Sequence, residues 1–159
     1  MPLPEPRLIP FKAEHLFAFT NRDGATSLGW KAAASKEEGG PAFTAIAGES
    51  MLGCAGVVIP WPGMGIAWVS MGAAALRYPL WVTRTVRRVL QDITRAHRLH
   101  RLEACVLAGS AVNRQWIEAI GFTRENGRAR SYTADRQDAV RYEWVPVGSG
   151  GMPAHEEAG

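Results

Sequence analysis

The sequence predicts a single α/β domain, and three observations support this fold class. Its 159 residues fit one hydrophobic core, since single cores usually serve roughly 100–200 residues before a chain divides. Hydrophobic residues make up 47% and charged residues 21%, a balance typical of packed proteins rather than disordered ones. Segments with strand and helix patterns also succeed one another along the chain. We therefore expect one domain over residues 1–147.

The first half of the chain predicts short elements joined by polar turns. Pro10 ends the first apolar segment, which favours an edge strand there. Gly48, Glu49 and Ser50 separate two apolar segments and predict a hairpin turn. The expected strands are 7–11, 42–47, 51–59 and 65–71, and the expected helices are 12–20 and, more briefly, 30–36.

The second half contains the clearest helix, residues 79–96. Apolar residues recur there at helical spacing, after a proline of the kind that a first turn tolerates. A second helix is expected between Ser110, which can cap it, and Gly121, which supplies a left-handed C-terminal position. Its predicted buried stripe is Val112, Trp116, Ala119 and Ile120, so Trp116 is expected to be a core residue.

Three further strands and a tail complete the second half. The expected strands are 102–107, 128–133 and 140–147, the last two paired as a hairpin. Residues 148–159 are rich in glycine and polar residues and have too few apolar side chains to offset the entropic cost of ordering. We expect them to form a flexible C-terminal tail.

Composition narrows the classes of function. No apolar run has the roughly 18–20 residues of a membrane span, and the first ten residues lack a signal-peptide pattern, so a cytoplasmic, non-membrane protein is expected. The four histidines and two cysteines lack metal-ligand spacing, so no metal is expected, and Cys54 and Cys105 are interpreted as reduced core residues.

The net charge is only +3, but the basic residues are unevenly placed. Fifteen of the 18 are arginine, and seven of those lie between Arg77 and Arg101. Such a stretch is typical either of a solvated helix face or of a surface for phosphates of a cofactor or nucleic acid. Nucleic-acid binding is the weaker interpretation, because the stretch lacks interleaved exposed aromatic residues and any recognised motif.

The order of elements and one local motif resemble the GNAT (GCN5-related N-acetyltransferase) family over roughly residues 7–147. The motif is a buried strand, a short turn and a ten-residue helix that ends in Ile120-Gly121-Phe122, similar to the family's usual Leu-Gly-Phe. The hairpin over 42–59, with Gly53 early in its second strand, is also similar to the family's central hairpin. The stretch 116–122 and the arginine-rich helix before it most resemble acetyltransferase-like proteins of phages and prophages.

The resemblance implies a GNAT-like fold, with a mixed, mostly antiparallel central sheet flanked by helices. It also implies that acetyl-CoA is the co-substrate and that it lies in a split between the strand ending near Met71 and the strand ending near Leu107. Backbone groups of the first strand would pair with the pantetheine arm, and the pyrophosphate would lie before the helix that starts near Pro79. The cofactor-binding residues that it implies are Val69, Met71, Gly72, Arg77 and Ser110.

Three positions depart from the family pattern. The family's loop usually reads Arg/Gln-x-x-Gly-x-Gly/Ala, whereas this chain has only Gly72 and Arg77 of it, at another spacing. Ile117 stands where many members place a tyrosine that protonates the departing thiolate, and Ser110 replaces an asparagine. The catalytic residues are therefore unassigned. Glu49 and Glu103 are candidate general bases, with a turn or strand-end charge as the simpler interpretation of each.

The resemblance and the departures leave two functions open. The first is an N-acyltransferase that moves an acetyl group from acetyl-CoA to a primary amine of a small molecule or protein. The second is a catalytically silent, virion-associated or protein-binding module. Either function is compatible with a homodimer. The expected location is the cytoplasm, or the virion if the protein derives from a phage.

Overall fold

The computed structural model describes residues 2–18, 35–132 and 135–145. Seven strands form one sheet in the order β1-β2-β3-β4-β5-β7-β6. The strands are β1 (Pro6–Pro10), β2 (Ala42–Ala47), β3 (Ser50–Trp61), β4 (Met64–Met71), β5 (Arg101–Leu107), β6 (Thr123–Arg124) and β7 (Ala139–Trp144). The helices are α1 (Pro79–Ala96) and α2 (Ala111–Ile120), and two 3₁₀ helices are η1 (Ala13–Phe17) and η2 (Ala73–Arg77).

The sheet is mixed and mostly antiparallel, which confirms the predicted fold class. The pairs β1–β2, β2–β3, β5–β7 and β6–β7 are antiparallel. The pair β4–β5 is parallel and joins Met64–Ile66 to Arg101–Glu103. None of the described helices has the length and apolar character that a membrane crossing requires.

The contacts group the chain into two compact units. The first comprises Met1–Ile59 with Ala67–Val86, and the second comprises Pro60–Ile66 with Arg87–Gly159. In the first unit, Phe11, Ala13, Leu16 and Cys54 form a buried cluster against which Ala42 and Trp68 pack. The most buried large side chains of the second unit are Leu99, Leu102, Ile120, Val140 and Tyr142.

Most elements lie where the sequence predicts them. Helix α1 has the predicted bounds, and the apolar residues Val82, Leu90 and Ile93 of its predicted stripe are buried. In the described part of the first predicted helix, residues 12–18, only the 3₁₀ helix η1 forms. Residues 35–38 are helical. Residues 19–34, which hold most of the second predicted helix, and the predicted tail 148–159 lie outside the described residues.

The predicted hairpin of 128–133 with 140–147 is wrong. Strand β7 pairs instead with β5 and with the short strand β6, which the sequence did not predict. Only an isolated bridge joins Ala129 to Ala139. Ser131, at φ 48°, leaves the extended conformation, and its amide donates to Asp138 Oδ1 at 2.9 Å. The amide of Tyr132 also donates to the carbonyl of Gln137 at 2.8 Å, so the described part of this segment folds as a turn and not as a strand.

The predicted apolar face of α2 is displaced around the helix. Val112 is 58% exposed and Ala119 is exposed, whereas Ile117 and Ile120 are buried. Trp116 is half-buried. The helix therefore packs through the face of Ile117 and Ile120. At its C-terminal end, Arg87 of α1 donates to the carbonyls of Ile120, at 3.1 Å, and Ala119, at 2.8 Å. A cation at these last carbonyls complements the helix dipole.

Arg101 joins three carboxylates in the second unit. Its guanidinium bonds to Glu103 at 3.0 Å and also to Glu125 and Glu143. Glu103 and Glu143 are direct partners across the β5–β7 ladder, so without Arg101 two like charges would face one another there. These bonds raise the pKa of Arg101 further above its ordinary value, mainly through Glu125.

Replacing Ile117 should test the buried face of α2. We expect Ile117→Ala to lower the free energy of unfolding by about 2–4 kcal/mol, since it leaves a cavity beside Ile120. Val112→Ala, on the exposed face, should change it by less than about 0.5 kcal/mol. Urea denaturation of both variants measures the difference. Equal effects would mean that the helix packs through the face of Val112.

Removing the Arg101 charge should destabilise the second unit. We expect Arg101→Met to cost about 1–3 kcal/mol, between the values for exposed and buried pairs, because the carboxylates are partly exposed. Salt of about 1 M should reduce this loss by screening the carboxylate repulsion. The control is Arg95→Met, whose pair with Asp92 at 3.8 Å is well exposed. A loss that salt leaves unchanged would contradict an electrostatic role.

Candidate functional site

The end of β4 is fixed by the neighbouring strand β3. Gly72 donates its N–H to the carbonyl of Leu52 at 2.8 Å. A Cβ built on Gly53 would lie 2.5 Å from the carbonyl oxygen of Ser70 and 3.0 Å from the Cα of Met71. Only glycine allows this approach, because both contacts are to backbone atoms. The predicted site residues Val69 and Met71 are half-buried on this fixed stretch.

A bulge in β3 accompanies this close approach. Ala45 pairs with Gly53, but the next β2 residue, Ile46, pairs with Met51, so Leu52 has no partner on β2. A bulge of this kind bends a strand and locally increases its twist. Leu52 is buried and its carbonyl accepts from Gly72. The bulge therefore directs a backbone acceptor of β3 to the point where β4 ends.

A 3₁₀ helix occupies the segment after Gly72. In η2 the amide of Ala75 donates to the carbonyl of Gly72 at 3.1 Å, and that of Tyr78 donates to the carbonyl of Ala75 at 3.0 Å. Ala75 is buried and Leu76 is 59% exposed. The segment thus folds as a short helix of alanines, where the GNAT sequence pattern has a glycine-rich loop.

The start of α1 favours an anion. By helix geometry the first-turn amides lack acceptors within the helix, and since Pro79 has no N–H, those of Leu80 and Trp81 remain. The first turn contains no acidic residue. Arg77 and Arg84 are exposed, and neither forms an ion pair with any of the residues that the structure describes. This charge pattern fits a phosphate group, although Leu80 is bulky and 69% exposed.

Four of the five predicted cofactor residues therefore lie in the first unit, on one continuous stretch of chain. The fifth, Ser110, belongs to the second unit. Ser110 precedes α2, but its side chain makes no capping hydrogen bond, so the predicted side-chain cap is wrong. Its carbonyl accepts from Arg114 at 3.0 Å instead.

In the second unit, residue 117, where the GNAT pattern has a proton-donating tyrosine, is an isoleucine and has no acidic group. Ile117 is buried, 7% exposed. Tyr142 is buried, and burial raises its pKa. Tyr132 is exposed, and its hydrogen bond with Cys105 raises its pKa. Cys105 is itself exposed, so its predicted core position is wrong, because it lies on the opposite face of β5 from buried Ala104.

The two candidate bases are placed differently. Glu103 is bonded to Arg101 and thus serves the ion cluster of the second unit. Glu49 is exposed in the turn between β2 and β3. Neither the ion cluster of Glu103 nor the exposed turn of Glu49 assigns these residues a catalytic role.

The structure groups several polar and aromatic residues of the first unit that the sequence did not bring together. The Nζ of Lys36 lies 5.1 Å from the centroid of the Trp68 ring. The Trp68 ring packs edge-on against Phe11, with centroids 5.2 Å apart, and its Nε1 is buried without a hydrogen-bond partner among the described residues. Trp68 immediately precedes Val69 on β4. Only the scarcity of lysine, three residues in the whole chain, could have drawn attention to Lys36.

A chain of hydrogen bonds that begins at exposed Lys12 and ends at buried Cys54 lies beside this group. His15 Nδ1 lies 2.7 Å from the hydroxyl of Thr44 and accepts from the amide of Lys12 at 3.2 Å. The Thr44 hydroxyl lies 3.5 Å from the sulfur of Cys54. Burial raises the pKa of Cys54 to about 11. Cys54 is therefore a protonated core thiol, as predicted, and its environment opposes formation of a nucleophilic thiolate.

The fold of this chain matches solved N-acetyltransferases. The ribosomal-protein-S18-alanine N-acetyltransferase from Escherichia coli is 19% identical, with a TM-score of 0.71 over 89% of this chain and 94% of that one. Ard1 from Thermoplasma volcanium is 8% identical, with a TM-score of 0.75 over 88% and 97%. YncA from Salmonella typhimurium, solved with its cofactor acetyl-CoA, is 14% identical, with a TM-score of 0.67 over 88% and 93%.

In sequence, the chain matches no family model and no curated protein. At these identities the structural likeness establishes the fold, which is that of the GNAT-type N-acetyltransferases.

The close contact between Gly53 and β4 can be tested by a substitution that adds one methyl group at residue 53. We expect Gly53→Ala to destabilise the chain by about 1–3 kcal/mol, since the end of β4 must shift to admit the new Cβ. Gly109→Ala is the matched control, because a Cβ there meets nothing within 4 Å. Urea denaturation should show a change below about 0.5 kcal/mol for that variant. A Gly53→Ala variant as stable as wild type would mean that β4 adapts freely.

Proposed function

We propose that this chain is an N-acyltransferase that moves an acetyl group from acetyl-CoA to a primary amine. One observation carries the proposal: the end of β4 leads through Gly72 into a cationic helix start that contains no acid. This arrangement lies in a fold shared with N-acetyltransferases. A backbone edge suits an extended amide-containing arm, and a cationic helix start suits a pyrophosphate.

The residues that would hold acetyl-CoA follow from this arrangement. Backbone groups of Val69–Met71 would pair with the pantetheine arm, so their side chains matter little for binding. The amides of Leu80 and Trp81 and the guanidinium of Arg77 would contact the phosphates. When bound, acetyl-CoA supplies an activated acyl group as a thioester. Ser110 remains a proposed contact that belongs to the second unit.

Proton transfer is the weak step of this proposal. Ile117 has no proton to donate, and Tyr142 is buried. A thiol has a reference pKa of about 8.5, so a thiolate can leave without a dedicated acid, but a positioned acid typically contributes roughly 10²–10⁴-fold. We therefore propose slow turnover. The acceptor amine must lose its proton to water or to a carboxylate.

A second candidate function is a binding module that does not turn over. Two observations favour it: Ile117 belongs to the core, and η2 occupies the segment where the family pattern has glycines. On this proposal the chain would use the fold to bind a protein partner. The phage-type relationship, virion or cytoplasmic location and homodimer remain predictions, as does the action of residues 1–147 as one domain.

Two measurements on the purified chain separate these functions. Titration calorimetry with acetyl-CoA should show binding with a Kd of roughly tens to hundreds of micromolar. A thiol-release assay over a panel of primary amines should then show slow release that depends on one class of amine. Binding without release would favour the second function. Absence of a heat signal at millimolar acetyl-CoA would show that the chain does not bind acetyl-CoA, which would exclude a role for it in either function.

Arg77→Ala should weaken binding of CoA more than binding of pantetheine, which lacks the phosphates. We expect about a tenfold rise in the Kd for CoA, in line with the loss of one charge-assisted hydrogen bond. Arg95→Ala is the matched control, since it removes an equal charge at the opposite end of α1. Calorimetry with both ligands checks this. Equal losses for CoA and pantetheine would show that Arg77 does not contact phosphate.

A further inference from the structure

We propose that Lys36 is an internal acyl acceptor, whose side-chain amine takes the acetyl group from acetyl-CoA bound along β4. This inference rests on the proposed function and assigns it a defined amine within the chain itself. It concerns residues of the first unit alone, namely Lys36, Trp68 and the stretch from Val69 to Gly72.

The position of the amine is set by Trp68. The Nζ of Lys36 lies 5.1 Å from the centroid of the indole ring, within the range of a cation–π contact. Trp68 is itself held by its edge-on contact with Phe11 and by packing on the buried cluster of Phe11, Ala13, Leu16 and Cys54. The amine is therefore held beside β4 rather than extended into solvent, and Lys36 is half-buried.

The direction of the bound cofactor brings its acyl end toward this amine. Phosphates held at the start of α1 lie beyond the Met71 end of β4. The thioester is at the opposite end of the pantetheine arm from the phosphates. An arm paired along Val69–Met71 must therefore point its thioester back along β4, toward Trp68. The amine above the Trp68 ring is thus on the side where the acyl group emerges.

Burial favours the neutral, nucleophilic form of the Lys36 amine, whereas the contact with Trp68 favours the ammonium form. Lys36 forms no ion pair with a carboxylate among the residues that the structure describes. The neighbouring Glu37 instead accepts the amide of Ala13 at 2.7 Å. Burial lowers the pKa of Lys36, so a larger fraction of the amine is neutral than in an exposed lysine. The neutral amine is the form that attacks a carbonyl carbon.

The reaction is an acyl transfer without any further reactant. The Lys36 nitrogen forms a bond to the thioester carbonyl carbon, and the bond from that carbon to sulfur breaks. The amine loses one proton and the departing sulfur gains one, so the products are an acetamide on Lys36 and CoA with a free thiol. The modification replaces a half-buried cation by a neutral amide, which removes the cost of keeping that charge partly desolvated.

The test uses the full chain and peptide mapping of its three lysines. The chain is incubated with acetyl-CoA, and acetylation of Lys36 and Lys12 is followed by mass spectrometry. Lys12 is exposed and serves as the internal control for uncatalysed acetylation. We expect Lys36 to react at least about tenfold faster, because a bound donor raises the effective concentration of thioester. Its rate should saturate with acetyl-CoA and fall when excess CoA is added, whereas that of Lys12 should do neither.

Two further arms separate transfer from a bound donor from the ordinary chemical reactivity of the Lys36 amine. Acetic anhydride needs no binding site, so Lys36 should lose most of its advantage over Lys12 with this reagent. Trp68→Leu should lower the Lys36 rate with acetyl-CoA several-fold and leave Lys12 unchanged, while Lys36→Arg should abolish the saturable modification.

The outcomes distinguish this inference from the proposed function. Calorimetric binding of acetyl-CoA together with equal, unsaturable rates at Lys36 and Lys12 would overturn the inference alone. Absence of both binding and modification would overturn the proposed function and the inference with it. A saturable, CoA-sensitive rate confined to Lys36 supports both.

Discussion

The close approach of β3 to the end of β4 is the constraint on which the candidate site depends. Gly53 has no Cβ where the carbonyl of Ser70 passes, and the bulge at Leu52 presents a carbonyl to the amide of Gly72. These two backbone contacts determine where β4 stops and η2 begins. Because α1 starts directly after η2, the same contacts position its cationic first turn. A side chain at residue 53 would disturb every later part of this stretch.

The arginine-rich stretch is divided between structural and free cations. Arg87 bonds to the last carbonyls of α2, and Arg101 joins three carboxylates, so both are committed to the packing of the second unit. Arg77 and Arg84, by contrast, are exposed in the first unit beside the start of α1. Arg88, Arg95 and Arg98 are exposed as well, so five of the seven arginines face solvent outside these structural bonds.

Sequence patterns predicted the bounds of helices and strands better than they predicted which strands pair and which helix faces are buried. The bounds of α1 and the β2–β3 hairpin follow from local periodicity and turn residues, so both could be predicted. The pairing of β7 with β5 could not, since it depends on residues more than thirty positions apart. Helix α2 offers apolar residues on two faces, and only packing against its neighbours selects Ile117 and Ile120. Cys105 was misplaced for a similar reason, because its apolar neighbours do not show which face of β5 is covered.

The backbone parts of the candidate site could be predicted from the sequence, whereas its side-chain contacts could not. Its backbone parts, the end of β4 and the start of α1, are consecutive in sequence and were predictable. The pair Lys36 and Trp68 was not, because thirty-two positions separate them and neither belongs to a motif. The chain has Ile117 in place of the tyrosine of the GNAT pattern and keeps only Gly72 of its loop glycines, but a strand end followed by a helix start is present. On the proposed function, acetyl-CoA would bind through these backbone groups even where transfer to an outside amine is slow. On the same proposal, an amine placed beside β4, as that of Lys36 is, would need less help from a catalytic group, since its position would supply part of what such a group contributes.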